Sequence, residues 1–248
     1  MEAFGSRHHA VCADTVRLIC LPFAGGSAAA FRDWGAALGP RFPTVPVDLP
    51  GHGRRIREPL CDSLDALAEL LVTELSEELE SGPYAIFGHS LGGLLAVQMA
   101  HELARRHLPP PVRLFISAAR SPAEPRPRPL HELPDAALLD ALVQLAEGVP
   151  AIDGHRELLQ FMLPVLRADL RMAETWAGPP SPPLAVPVSL LSGVHDLLAP
   201  PTRMASWRRS FVGEVAAHSY PGGHFYIETC ADAVLQDVGR ALSRAADE

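Results

Sequence analysis

Apolar residues in this 248-residue chain fall into short continuous runs separated by longer stretches with apolar positions at helical spacing. The short runs predict strands over residues 16–21, 44–47, 84–87, 112–117, 186–191 and 214–218. The stretches between them predict helices over 29–38, 64–79, 91–107, 201–211 and 225–245. In 64–71 the apolar residues recur every three to four positions, with Ser63 placed to cap the first turn. Strands that are apolar throughout and alternate with helices predict a parallel sheet covered on both faces.

One region breaks this alternation. The run Ser121-Pro122-Ala123-Glu124-Pro125-Arg126-Pro127-Arg128-Pro129 and the cluster Pro179-Pro180-Ser181-Pro182-Pro183 exclude helix interior and central strand. Between them the pattern is helical over 135–147, 155–166 and 167–176. Residues 121–183 therefore read as a helical insertion within a single α/β domain spanning 1–248. Ligands bind beyond the carboxyl ends of strands in open α/β sheets, so the insertion is expected to act as a lid.

Composition narrows the classes. A hydrophobic fraction of 48% supplies a sizeable core. No apolar run approaches the length of a membrane span, and residues 1–14 lack the apolar stretch of a secretory signal. Formal net charge is −8, which argues against nucleic acid as a partner. Cys12, Cys20, Cys61 and Cys230 are scattered, so reduced thiols and a cytoplasmic location are expected, with no zinc site. A monomer is the default expectation.

The chemistry centres on Tyr84-Ala85-Ile86-Phe87-Gly88-His89-Ser90-Leu91-Gly92-Gly93, where an apolar strand runs through a G-x-S-x-G turn into an apolar helix. In that context Ser90 reads as a nucleophile on a strained turn, with the Leu91 N–H facing a developing oxyanion. A serine hydroxyl needs an imidazole to take its proton, and the imidazole needs an acid to fix its tautomer. Asp196, in Gly193-Val194-His195-Asp196, and His224, in Gly222-Gly223-His224-Phe225, follow in the order Ser, acid, His that α/β-hydrolases use. The loop Leu21-Pro22-Phe23-Ala24-Gly25-Gly26-Ser27 would add a second backbone donor, from Ala24 or Phe23. A phosphate-binding reading of that glycine loop fails because the chain has no lysine. His89 reads as packing or support, His52 as a turn residue bordering the site, and His195 as a distant substitute for His224. No histidine pair has metal-ligand spacing.

Together, Leu21-Pro22-Phe23-Ala24-Gly25-Gly26-Ser27-Ala28, the elbow at Ser90, the Asp196 and His224 segments, and Leu163-Pro164-Val165-Leu166-Arg167-Ala168-Asp169 resemble the type II thioesterases that edit polyketide and nonribosomal peptide assembly lines. That family often has His or Tyr where this chain has Phe23. The resemblance implies the α/β-hydrolase fold and hydrolysis of acyl groups from the phosphopantetheine arm of acyl or peptidyl carrier proteins. It implies Ser90 as nucleophile, His224 as general base and acid, Asp196 as its partner, and no metal or bound cofactor. Arg54, Arg55, Arg57, Arg120, Arg126, Arg128, Arg167 and Arg171 are candidates for carrier docking. Rival readings are a general carboxylesterase, a chain-releasing or medium-chain fatty acyl thioesterase, and a non-catalytic binder of acyl or carrier ligands.

Overall fold

The computed structural model describes residues 15–125, 128–145, 156–178 and 182–247. Six strands form one sheet, all neighbours parallel: β1 (Arg17–Leu21), β2 (Thr44–Pro46), β3 (Tyr84–His89), β4 (Arg113–Ser117), β5 (Val188–Gly193) and β6 (Val215–Tyr220). Their spatial order is β2-β1-β3-β4-β5-β6, with Ile19 opposite Ile86 and Phe87 opposite Phe115. The chain steps from β1 outward to β2, then returns to place β3 on the other side of β1. The loops leaving β1 and β3 therefore diverge at a topological switch point, the crevice where such sheets bind ligands.

Both faces of the sheet are buried, which is why its strands read as unbroken apolar runs. Ile19, Leu21 and Ile86 face α2 (Leu64–Glu74) and α4 (Leu91–Arg105), packing with Leu67, Leu71, Leu95 and Met99. Leu18, Cys20, Phe87 and Phe115 point the other way, against Phe31, Trp34 of α1 (Trp34–Leu38) and, further along the chain, Val234, Val238 and Leu242. Alternation exists but is hidden, because each side of the pleat meets a helical layer.

The predicted helices prove shorter and more divided. The 29–38 segment is a 3₁₀ turn at Ala28–Phe31 followed by α1. The 64–79 segment breaks at Leu75, whose backbone leaves the helical region, and resumes as α3 (Ser76–Glu80). Ser63 does cap α2, accepting from the Ala66 N–H at 3.4 Å. The 201–211 segment is α7 (Pro201–Met204) running into a 3₁₀ stretch at Ala205–Ser210. The 225–245 segment breaks at Cys230 between α8 (Tyr226–Thr229) and α9 (Ala231–Asp247).

Between β4 and β5 stand α5 (Asp135–Leu145) and α6 (Arg156–Thr175). The expected boundary between residues 166 and 167 does not exist. Helix α6 runs straight through it, and through Pro164, because no glycine or cap interrupts the sequence there. Polar contacts tie α6 to the segment that leads into α5. Glu174 accepts from the N–H groups of Leu130 (2.8 Å) and His131 (3.1 Å), and Arg167 reaches the Leu133 carbonyl (2.8 Å) and Asp135 (2.5 Å). The expectations that fall on residues 1–14, 126–127, 146–155 and 179–181, including Cys12 and Arg126, lie outside the described residues.

Candidate active site

Ser90 occupies the turn between β3 and α4 with φ 54° and ψ −115°, a region that a residue with a side chain adopts only under strain. Its N–H donates to the Ser117 carbonyl (2.8 Å) and its own carbonyl accepts from Gly93 (2.9 Å), so both ends of the strained residue are held. Gly92 is needed for a close approach: a Cβ there would sit 2.2 Å from the Leu21 carbonyl oxygen and 2.7 Å from that of Pro22. The first turn of α4 therefore rests on the backbone of the loop leaving β1. That loop bends tightly, the Gly26 N–H donating to the Phe23 carbonyl (2.8 Å).

Asp196 and His224 arrive from the ends of β5 and β6. These two loops are stitched together by Val194 N–H to Tyr220 O and His195 N–H to Gly222 O, both 2.9 Å. His224 Nε2 lies 3.0 Å from Ser90 Oγ, and His224 Nδ1 lies 2.9 Å from Asp196 Oδ2. The other carboxylate oxygen, Oδ1, accepts from the N–H groups of Leu198 (2.8 Å) and Ala199 (3.1 Å). Asp196 and His224 are buried, at 2% and 6% exposure. Burial opposes ionisation of Asp196. Electrostatic attraction to His224 and the hydrogen bond from it, with the two backbone N–H donors, outweigh it and hold the carboxyl below its usual range. An ionised carboxylate only accepts, so Nδ1 of His224 carries the proton and Nε2 is left to accept from the Ser90 hydroxyl.

His89 is fully buried beneath this chain of hydrogen bonds. Its Nδ1 lies 2.8 Å from Ser117 Oγ, which lies 2.5 Å from the Tyr226 hydroxyl, and its ring packs 5.4 Å from that of His224. Burial, with the neighbouring His224, depresses its pKa well below 6.5, so it stays neutral and supports the site from behind. His195 is exposed and points its side chain to solvent.

Two cavities meet at Ser90, His224, Leu170 and Leu198. The larger, about 650 Å³, runs between the β1 loop, α1, the α8–α9 segment and the apolar faces of α5 and α6, including Leu142, Leu159 and Met162. The smaller, about 250 Å³, lies between residues 118–122, residues 129–132 and α6 and is lined by Leu91, Arg120, His131, Glu174 and Trp176. Among the described residues no cluster of His, Cys, Asp and Glu is arranged to hold a metal ion, and no helix is long and apolar enough to cross a membrane.

His52 is not the simple turn residue that its Gly51-His52-Gly53 setting suggests. It is buried, with Nε2 2.8 Å from Asp169 Oδ2 on α6 and Nδ1 2.9 Å from the Pro50 carbonyl. Nothing local in the sequence signals a pair 117 residues apart. Burial works against charge on this imidazole. The hydrogen bond and charge of Asp169, with smaller help from Pro50 and Asp48, prevail and raise its pKa above 6.5. A group raised on folding adds stability in full below its unfolded value and loses it as pH rises through the folded one. Urea unfolding should accordingly show the largest gap between wild type and His52→Gln below about pH 6.5, shrinking as the solution becomes alkaline. A gap that widens with pH would refute the charged pair.

Among the described residues, the candidate docking arginines divide into paired and exposed ones. Arg55 pairs with Glu58 and Glu74, Arg167 with Asp135, and Arg54 with the buried Asp48, while Arg57, Arg128 and Arg171 are exposed.

A parallel sheet with a positive-φ serine at the strand-to-helix turn, and helices on both faces, defines an α/β-hydrolase fold. Within that class the chain belongs to the thioesterase domain family of thioester hydrolases, whose family model matches residues 16–242. Thioesterase PikA5 of Streptomyces venezuelae is 37% identical over 236 residues, covering 95% of this chain and 84% of that protein. The RedJ thioesterase from the prodiginine biosynthetic pathway in Streptomyces coelicolor superposes with a TM-score of 0.85 at 38% identity, covering 91% of this chain and 86% of its own. BorB, the type II thioesterase from the borrelidin biosynthetic cluster, superposes at 0.84 with 32% identity, covering 92% and 93%.

Proposed function

We propose that the protein is an editing thioesterase, hydrolysing acyl groups from the phosphopantetheine arm of acyl or peptidyl carrier proteins in polyketide or nonribosomal peptide biosynthesis. The observation that carries this reading is the hydrogen-bonded sequence Ser90–His224–Asp196, set where an apolar cavity and a smaller one lined by Arg120, His131 and Glu174 meet. In the reaction, Ser90 Oγ bonds to the thioester carbonyl carbon as its proton passes to His224 Nε2. The carbonyl oxygen takes up the electron pair and is met by the N–H of Leu91 and that of Ala24 or Phe23. Collapse breaks the C–S bond, and the departing pantetheine sulfur takes the proton from His224. Water then attacks the acyl-enzyme, again giving a proton to His224, which passes it to Ser90 as the acid leaves. Asp196 stays ionised throughout and orients the imidazole. The chemistry calls for no bound cofactor, because the pantetheine belongs to the carrier.

The type II thioesterases among the relatives support the editing role, and helices α5 and α6 would act as the lid under which the arm enters. A cavity of about 650 Å³ also has room for a medium-length chain, which favours the fatty acyl releaser as the second reading. One series separates them: single-turnover hydrolysis of carrier protein loaded with acetyl, propionyl and progressively longer acyl groups, beside free esters of the same acids. An editor clears the short chains at rates comparable to the longer ones and prefers the loaded carrier to the ester. Preference for medium chains alone would assign the releaser, and faster turnover of the free esters would remove the thioesterase assignment.

A further inference from the structure

We propose that Asp169 and His52 are positioning residues for the oxyanion loop: a charge pair on and beneath helix α6 that fixes the peptide following Ala24. The inference rests on the reading of Ala24 or Phe23 as the second oxyanion donor beside Leu91.

The geometry is specific. A single oxygen, Asp169 Oδ2, accepts from the Gly25 N–H at 2.7 Å and from His52 Nε2 at 2.8 Å. The other His52 nitrogen faces the Pro50 carbonyl, which can only accept. With acceptors at both nitrogens the ring is an imidazolium, and the carboxylate and imidazolium are 2% and 3% exposed. A buried ion pair is a poor stabiliser by itself, since desolvation of both charges offsets most of their attraction. What this one does hold in place is the backbone of the β1 loop.

The Gly25 N–H belongs to the peptide that begins at the Ala24 carbonyl. Fixing it leaves the Ala24 N–H one Cα away from a clamped group. A second buried carboxylate clamps the far end: Asp48 Oδ1 accepts from the Ala28 N–H at 2.8 Å, while its Oδ2 is held by Arg54. Between these clamps Gly25 has φ +73°, and a Cβ there would lie 2.5 Å from Leu166 Cδ2. Leu166 and Asp169 are three apart on α6 and so share a face, which seats the helix directly on the loop. Leu170, beside Asp169, lines both cavities at Ser90. The pair thus joins the seating of α6 to the aim of the oxyanion donor.

An amide cannot replace this carboxylate. If the amide oxygen takes the Oδ2 position, His52 keeps its charge with no counter-charge. If the amide nitrogen does, it meets the Gly25 N–H donor to donor. The test compares full-length wild type, Asp169→Asn, His52→Gln and Ser90→Ala, each normalised to its folded fraction by circular dichroism. Steady-state turnover of an acyl-pantetheine thioester is read beside the affinity of phenylboronic acid, which forms an anionic tetrahedral adduct on an active serine. For Asp169→Asn, kcat should fall about ten- to a hundredfold, below the loss seen when an oxyanion donor is removed outright, with KM changed less than about threefold. Boronate affinity should fall by a similar factor. His52→Gln keeps one N–H donor toward Asp169 and should lose less, with the same split.

If Asp169→Asn does not fold, His52→Gln decides: a lower kcat at constant KM supports the proposal, and unchanged kcat overturns it. Folded variants whose boronate affinity equals that of wild type also overturn it, whatever their melting temperature. Failure of the underlying reading looks different. Wild type would then bind boronate no better than Ser90→Ala.

Discussion

Replacing Ser90 with alanine is expected to remove single-turnover release of acyl groups from a loaded carrier, with a loss in kcat on the order of 10⁶, the scale seen when a serine nucleophile is deleted. The fold should survive. The strain at φ 54° is in the backbone and is common to serine and alanine, and the bonds that hold the turn, from Ser90 N–H to Ser117 and from Gly93 to Ser90, are main-chain bonds. Substrate binding should survive as well, because the apolar lining of the larger cavity is untouched. The check is rapid-quench hydrolysis of acetyl-loaded carrier, with retention of binding read by fluorescence anisotropy of a labelled carrier. A variant that still releases acetate within tenfold of wild type would show that water attacks the thioester directly and that no acyl-enzyme forms.

The parts of this molecule that are legible in the sequence are those whose physical cause is local. The elbow at Ser90 is written within ten residues: an apolar strand, two glycines that allow close approach, and an apolar helix. The parallel sheet follows from strands such as Tyr84-Ala85-Ile86-Phe87, in which both pleat faces are apolar because both are covered. Asp196 and His224 stand out by chain order, and the structure brings each within hydrogen-bond reach of the next.

The illegible parts have non-local causes. Strands β3 and β5 continue to His89 and Gly193 because their neighbours keep pairing with them, which no propensity records. Helix α2 stops at Leu75 with no proline or glycine to announce it. The continuity of α6 across residues 166 and 167 is fixed by its packing and its polar contacts to residues 130–135, which lie far from that boundary in sequence. His52 illustrates the limit most sharply. Flanked by glycines it reads as a turn, and only the third dimension sets Asp169 against it.

Asparagine at position 196 is expected to lower kcat by about 10⁴ while leaving the backbone in place. The direction follows from which hydrogen bonds the carboxylate makes. Oδ1 of Asp196 receives two N–H donors, from Leu198 and Ala199, so the oxygen of an asparagine must occupy that position. Its NH₂ group then takes the place of Oδ2, facing His224 Nδ1 at about the present 2.9 Å. A donor there forces Nδ1 to accept, and the imidazole proton moves to Nε2. Nε2 in turn faces Ser90 Oγ as a donor and can no longer take its proton. The side chain is nearly isosteric and the site stays filled, so the loss should appear in kcat with KM little changed, measured on an acyl-pantetheine thioester. The ring nitrogen shifts of His224 in ¹⁵N-labelled protein should report the proton on Nε2. If kcat stays within tenfold of wild type while the proton has moved, the orientation of His224 is not what makes Ser90 reactive, and Asp196 is not the residue that prepares the base.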